Sequence, residues 1–438
     1  MIGAVILIVV LFVITLPLLN SFKAGKPWFD ANLMKGLFWY HIFFAIVYYV
    51  MVMNARSDSV GYYNRAAYEH NDWLSIYTTG TKFIDFVAYP FVKHLGFSYE
   101  MMMVLFTYMG YWGFVYFYVF FKENITYPHR FLPNTSLGGR KNGIDMITLF
   151  IFLPNMHYWT SSLGKGSIIF WGLAMTMYGL SKLNKRKFAL LFGLILVYHV
   201  RPHVFLFMTV GIIVGMFTGR QKIPTYQKAL VFFGVAITLA LMYNTIMSFV
   251  GLDSDNLVES FDKFSTTRSG ELAKANSGVD ISNYPLILKL FTFWFRPLFL
   301  DAPGAAGIIV SFENVVYILL AANLFQKGFF KYLFKSSALV KTAAVAFLAT
   351  SFALSATLSN MGIIIRQKSM VMYFFLFIII SFLEYKQRVK LARRKQFMDA
   401  QKLQNQDPDE PGNVDAGDGR NDEVHPSDKQ YQPGINGL

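Results

Sequence analysis

Apolar residues gather along the chain into runs that approach the ~20 residues needed to cross a hydrocarbon core. Seven such runs, at 2–19, 36–53, 99–121, 229–250, 305–325, 339–358 and 370–385, predict membrane-spanning helices. The first lacks the basic start and small-residue cleavage site of a signal peptide and reads as an anchor. Two further regions, 144–181 and 188–219, each hold two shorter apolar arms with polar residues between them and predict helical hairpins. The arms of the first, about 13 and 15 residues long, reach only ~20 Å, so its polar tip stops below the membrane surface. Irregular backbone at that depth is tolerated only inside protein or along a water-filled cavity. The expected fold class is all-α, a polytopic membrane protein with broken hairpins and re-entrant segments.

Composition agrees with this reading. The chain is 54% hydrophobic, 18% aromatic and 15% charged, where a soluble protein carries about a quarter charged residues. Absence of cysteine excludes disulfides, thiolate metal sites and cysteine nucleophiles. Charge changes the picture more, because 40 Lys and Arg against 26 Asp and Glu give +14 in a solvent that penalises cations. Short cytoplasmic loops concentrate Lys and Arg. Assigning 20–35, 122–141, 182–187, 220–228, 327–341 and 386–395 to the cytoplasm collects 24 of the 40. The alternation then closes at about eleven crossings, with the N-terminus outside and the C-terminus inside.

The polytopic domain is expected over 1–395, with 54–98 and 251–283 as outer loops. Residues 81–95, apolar but carrying Asp85 and Lys93, read as a re-entrant or interfacial segment, and 251–283 as a small cap or lid. Residues 396–438 carry nine acids against three bases amid repeated Gly, Pro, Asn and Gln. That composition predicts a disordered acidic cytoplasmic tail.

Outside the tail and the cytoplasmic loops thirteen cations remain: Arg56, Arg65, Lys82, Lys93, Lys165, Arg201, Lys263, Arg268, Lys274, Lys289, Arg296, Arg366 and Lys368. All fall on the outer side or in the outer half of the membrane, against the usual bias. In "PNMHYWTSSLGKGS", the first hairpin's tip, Lys165 precedes a new helix whose free N–H groups favour an anion, with His157 close by. The upstream glycine spacing of a nucleotide phosphate loop is missing there, so ATP hydrolysis is not expected. In "YHVRPHVFLF", Arg201 precedes Pro202 at a helix break and gathers His199 and His203. A fixed anion would relieve the cost of Arg201; the competing reading is a salt bridge to Asp85 or Glu313. Arg296 again precedes a proline, Asp301 follows it, and Glu313 lies inside the next apolar run, where pairing with Arg201 or Arg296 is expected. In "SNMGIIIRQKSM", Arg366 and Lys368 supply charge-assisted donors that suit a diphosphate.

Cations delivered from four separate segments to one depth point to a polyanionic, lipid-borne ligand such as a polyprenyl-diphosphate-linked sugar. The diphosphate would be both anchor and leaving group, and the cations would stabilise the charge developing on it. An acceptor hydroxyl needs a base, for which Asp58, His157 and His203 are candidates by position.

At these residues the sequence resembles a known family. The stretches "HYWTSSLGKGSIIFWGLAMTMYGL", "RPHVFLF", "FRPLFLDAPGAAGIIVSFENVVYIL" and "NMGIIIRQKSMVMYFFLF" resemble the multi-spanning polysaccharide polymerase and O-antigen-polymerase-like proteins of bacterial surface-glycan loci. The resemblance runs through most of 1–385, with Gly166 standing where related sequences often carry an acid. It implies a multi-pass glycosyltransferase of the bacterial inner membrane that joins undecaprenyl-diphosphate-linked oligosaccharide repeats on the periplasmic side, with no cofactor or metal. It also implies Lys165, Arg201, His203, Arg296 and Arg366 as site residues; Lys368 and Glu313 complete the substrate-binding candidates. Implied partners are that lipid-linked oligosaccharide, the lipid bilayer, and a chain-length regulator or other glycan-assembly membrane proteins; nucleic acid is not among them. Two rivals stand beside this reading. One is a polyprenyl-phosphate-sugar-dependent glycosyltransferase relying on an acid in its first outer loop, here Asp58. The other is a non-enzymatic transporter or flippase for an anionic lipid.

Overall fold

The chain enters through two helices of 24 residues each, α1 (Ile2–Gly25) and α2 (Ala31–Asn54), each ~36 Å long at 1.5 Å per residue. The computed structural model describes residues 1–54, 57–127, 145–221, 223–250, 284–302, 304–357, 360–368 and 370–404. Beyond α2 the chain winds through short elements: α3 (Asp58–Asn64), a π-helical turn at Arg65–Glu69, a 3-10 turn at Leu74–Ile76, α4 (Thr81–Tyr89) and a second π-helical turn at Pro90–His94. The expected re-entrant or interfacial segment over 81–95 is thus helical. Next comes α5 (Tyr99–Asn124), capped by the Ser98 hydroxyl, with Glu100 in its first turn and Lys122 in its last. Those charges complement the helix dipole at both ends.

The first predicted hairpin is built from α6 (Met146–Ile151), α7 (Pro154–Thr160) and α8 (Lys165–Ser181), so its tip contains a helical turn of its own. The second consists of α9 (Leu183–Val200) and α10 (Pro202–Thr218). Pro154 and Pro202 occupy first helical positions, where a missing N–H has no partner to lose. Arg201, at φ −148° and ψ 89°, is the non-helical joint between α9 and α10. The remainder runs through α11 (Thr225–Val250), α12 (Leu286–Phe295), α13 (Gly304–Ala321), α14 (Phe329–Phe334), α15 (Ala338–Thr357), α16 (Met361–Lys368) and α17 (Met372–Gln404).

Among the described residues the regular structure is helical throughout. Five helical stretches there, Ile2–Gly25, Ala31–Asn54, Tyr99–Asn124, Gly307–Phe325 and Ala338–Ala356, are long and apolar enough to cross a membrane. A sixth crossing results if α16 and α17, bent by 51° at their break, count as one. The protein is a polytopic α-helical membrane protein. By contact the chain divides into Met1–Arg388 and Val389–Leu438. Helix continues through Gln404, past residue 396 where the tail was expected to begin. Residues 405–438, the expected cap at 251–283 with Lys263, Arg268 and Lys274, and Arg56 lie outside the described residues.

Small residues let the hairpin helices approach closely. A methyl group added at Gly193 of α9 would meet the Thr176 nitrogen of α8 at 2.6 Å, and one at Gly211 of α10 would meet the Thr342 carbonyl of α15 at 2.8 Å. Lipid tails offer no hydrophobic gain from association, so close van der Waals packing of this kind holds such helices together. At the ends carrying the expected cytoplasmic loops, cations converge on buried acids. Glu123 takes Arg186 at 2.7 Å, Lys182 at 3.3 Å and Lys26 at 3.8 Å. Glu384 accepts the backbone N–H of Thr126 at 2.7 Å and Arg388 at 2.8 Å.

The glycine contacts make a direct test of packing. Gly193→Leu is expected to destabilise the protein by ~1–3 kcal/mol through overpacking. Its thermal unfolding midpoint in detergent should fall, while that of Gly36→Leu, where an added methyl meets nothing within 4 Å, should stay near wild type.

Candidate functional site

The segment after α2 is held by its own polar groups. Ser57 caps α3 and its hydroxyl contacts that of Tyr48 at 3.0 Å, while the Ser59 hydroxyl bonds that of Tyr99. Asp58, Tyr62 and Arg65 follow at spacings of four and three residues, which brings them to one face of this helical stretch. Arg65 is gripped from behind by the fully buried Asp85, with Nε to Oδ2 at 2.8 Å and Nη2 to Oδ1 at 3.1 Å. His70 Nε2 contacts the same Oδ2 at 3.2 Å.

This stretch closes one side of a cavity of about 460 Å³. Arg65 and Asp58 line it from one direction, Lys165 from the start of α8, Arg201 from the break between α9 and α10, and Arg366 from α16. Tyr48, Tyr62 and Trp159 contribute aromatic surface. Four cations therefore face one carboxylate. Arg366 Nη1 donates to Asp58 Oδ2 at 2.9 Å, and its guanidinium lies 6.0 Å from the centre of the Trp159 ring. That ion pair is wet, with 35% and 67% of the two side chains exposed. A second cavity of about 280 Å³ shares Asp58, Arg366, Tyr48 and Trp159 and adds Met51, Val52 and Tyr158. A Cβ at Gly166 would collide with the Trp159 carbonyl. The start of α8 thus has no room for a side chain at Gly166.

Of the residues singled out in the sequence, Asp58, Lys165, Arg201 and Arg366 meet in this cavity, and the other candidates do not line it. His157 is fully buried on α7; its Nε2 donates to the Ile151 carbonyl at 2.7 Å, its Nδ1 meets His41 Nδ1 at 2.9 Å, and its ring stacks on Phe114 at 3.9 Å. His203 sits in the first turn of α10. Arg296 pairs with Asp301 at 2.5 Å. Lys368, fully buried, donates to the Arg296 carbonyl and to Asn314 Oδ1, both at 2.8 Å. Asn314 in turn donates to the Pro297 carbonyl at 2.7 Å. Glu313, expected to pair with Arg201 or Arg296, instead accepts the backbone N–H of Asn155 at 3.0 Å and the Tyr317 hydroxyl. Asp85, considered as a partner of Arg201, holds Arg65. Arg65, one of the thirteen cations that topology leaves unexplained, joins Asp58, Lys165, Arg201 and Arg366 in the cavity, and its helical spacing from Asp58 is the sequence signal for it.

The chain matches no family model, no curated protein and no solved structure. Among the described residues no three His, Asp or Glu side chains gather as a metal site would require. The arrangement offers instead a cluster of positive donors around a volume suited to one small polyanion, with a carboxylate at its edge.

Two lysine-and-arginine neighbours on α16 have opposite surroundings, and stability should separate them. Lys368→Met leaves the buried Asn314 Oδ1 and the part-buried Arg296 carbonyl without their donor, the first costing ~1–3 kcal/mol. Arg366→Gln removes a wet ion pair worth ~0–1 kcal/mol. Unfolding in detergent should show a large loss for the first and little change for the second.

Proposed function

We propose that this protein is a glycosyltransferase of polysaccharide-polymerase type, acting on polyprenyl-diphosphate-linked oligosaccharide repeats at the periplasmic side of the bacterial inner membrane. The observation that carries the reading is the convergence of Arg65, Lys165, Arg201 and Arg366 from four chain segments on one cavity that also holds Asp58. The helices agree on a side. Lys165 opens α8 and Lys182 follows its end; Lys185 and Arg186 open α9 and Arg201 follows its end. Along these helices the cytoplasm-type cations and the cavity residues lie a helix length apart, ~25 Å, which supports opposite membrane sides for the two sets; eleven crossings with the N-terminus outside belong to the same proposed reading.

In the proposed reaction the diphosphate of the donor lies among the cations. An acceptor sugar hydroxyl attacks the anomeric carbon, the carbon–oxygen bond to the diphosphate breaks, and its electron pair stays on the diphosphate. The cations stabilise that charge as it develops. The hydroxyl proton passes to Asp58, the one carboxylate on the cavity among the described residues. Asp58 is held by Arg366 across a wet contact, so a diphosphate that engages Arg366 would release Asp58 at modest cost. The second cavity shares Asp58 and has aromatic surface, which suits a sugar ring next to the base.

The presence of Asp58 in the cavity also favours one alternative, a transferase using a polyprenyl monophosphate donor. Proteoliposomes given lipid-linked repeats decide between them. Arg201→Ala and Arg366→Ala should each lower chain growth by ~100-fold or more, a loss typical of removing a donor that stabilises developing charge, with membrane insertion intact. Wild-type chain lengths from either variant would overturn the diphosphate cradle. Loss of activity in Asp58→Ala with activity kept in Arg366→Ala would favour the monophosphate donor, and movement of labelled lipid across the bilayer without growth would favour a flippase.

A further inference from the structure

The cationic cavity holds a group that its proposed anion does not satisfy. Gln367 lies on α16 between the half-exposed Arg366 and the fully buried Lys368. It lines the cavity together with Arg366 and with Ile363, one helical turn before it. The residue is 7% exposed, and among the described residues its Oε1 is buried without a hydrogen-bond partner. Buried acceptors in folded proteins are nearly always paired. Other acceptors on the cavity are engaged: Asp58 by Arg366, and the hydroxyls of Ser57 and Ser59 by those of Tyr48 and Tyr99. Lys368 pins this end of α16 through the Arg296 carbonyl and Asn314 Oδ1, so the glutamine rides on a fixed backbone.

We propose that Gln367 is a specificity-determining residue, whose side-chain oxygen accepts a hydrogen bond from a hydroxyl or amide N–H of the sugar joined to the diphosphate. The inference rests on the diphosphate reading above. Arg65, Lys165, Arg201 and Arg366 fill the cavity with donors, and an ionised diphosphate ester offers them acceptors only. An acceptor orphaned beside them gains nothing from the anion. It gains from a neighbouring ligand group that carries hydrogen, and sugar hydroxyls and acetamido groups do. Gln367 directly follows Arg366, so the group it reads lies next to the phosphate that Arg366 holds, which is where the first sugar of the donor begins. The last torsion of a glutamine is soft, so the oxygen turns to meet a ligand without moving the helix. Leaving a buried acceptor unpaired is costly, so a site of this kind also discriminates against a ligand that lacks the hydrogen.

Binding to the detergent-solubilised full chain tests this with three lipids: undecaprenyl diphosphate, the same lipid carrying one hexose, and that hexosyl lipid with every sugar hydroxyl methylated. Gln367→Met keeps the length of the side chain and removes its acceptor. It should weaken the hexosyl lipid about tenfold, the worth of one neutral hydrogen bond, and leave bare undecaprenyl diphosphate bound as wild type binds it. Wild type should prefer the hexosyl lipid to its methylated form, and the variant should lose about tenfold of that preference. Equal loss of the bare and hexosyl lipids in the variant would mean that the amide serves the phosphate or the fold, and would overturn the inference. Unchanged affinity for both, or an undiminished preference over the methylated lipid, would overturn it as well. Each of these results leaves the cationic cradle standing. Failure of wild type to bind any of the three lipids would instead overturn the diphosphate reading, and the role of Gln367 with it.

Discussion

Hydrocarbon offers no hydrogen-bond partner, so wherever this chain breaks its helices inside the membrane, it must supply partners from its own side chains. Three residues meet much of that demand. Glu313 takes the backbone N–H of Asn155 at the start of α7, Asn314 supports the Pro297 carbonyl after α12, and Lys368 holds the Arg296 carbonyl together with Asn314. These bonds tie α7, α13, α16 and the turn after α12 into one frame. The hairpin turn that ends in Lys165 follows α7, and Arg366 is carried on α16, so the positions of both cavity cations depend on groups that never reach the cavity.

The frame and the cavity use the same residue types for opposite ends. Lys368 and Arg366 are two residues apart on one helix, ~200° around it. One side is dry, where an ammonium without partners would be costly, and the other is wet. A buried charge bound to a carbonyl and an amide stabilises one geometry; a half-exposed arginine beside an exposed aspartate can exchange its partner for a ligand with little loss. Arg296 and Arg201 also end in different places. Both precede a proline at a helix break, yet Arg296 is held by Asp301 at 2.5 Å while Arg201 lines the cavity.

Much of this was legible in the sequence. The apolar runs marked α1, α2, α5, α13 and α15, and the short-armed regions marked the two hairpins, because length and hydropathy alone decide those elements. Separating cavity cations from frame cations was harder. The pairing of Asp85 with Arg65 rather than Arg201, and the use of Glu313 as an acceptor for backbone, depend on contacts across 20 and 158 residues of chain that no local pattern encodes. The opposed faces of Arg366 and Lys368 were readable from helical geometry. So was the face shared by Asp58, Tyr62 and Arg65. His157 misled for a physical reason: in a polar hairpin tip it looks available, but α7 turns it inward onto His41 and Phe114.

The cavity's cations are held with unequal firmness, and that bears on how such a site would work. Arg65 is fixed by a buried carboxylate through two hydrogen bonds, a fork that leaves its guanidinium little freedom to turn. Arg366 donates to Asp58 across an exposed contact. A polyanion entering from outside would meet one donor already oriented and another that must reorient, and reorienting it uncovers the only carboxylate on the cavity among the described residues. In the proposed function, charge on the ligand and availability of Asp58 as a base would be coupled through that exposed contact. A firmer, buried Asp58–Arg366 pair would make the same exchange expensive, because each partner would then lose its counter-charge in a dry place. The exposure of this pair is what keeps the coupling within reach of ordinary binding energy.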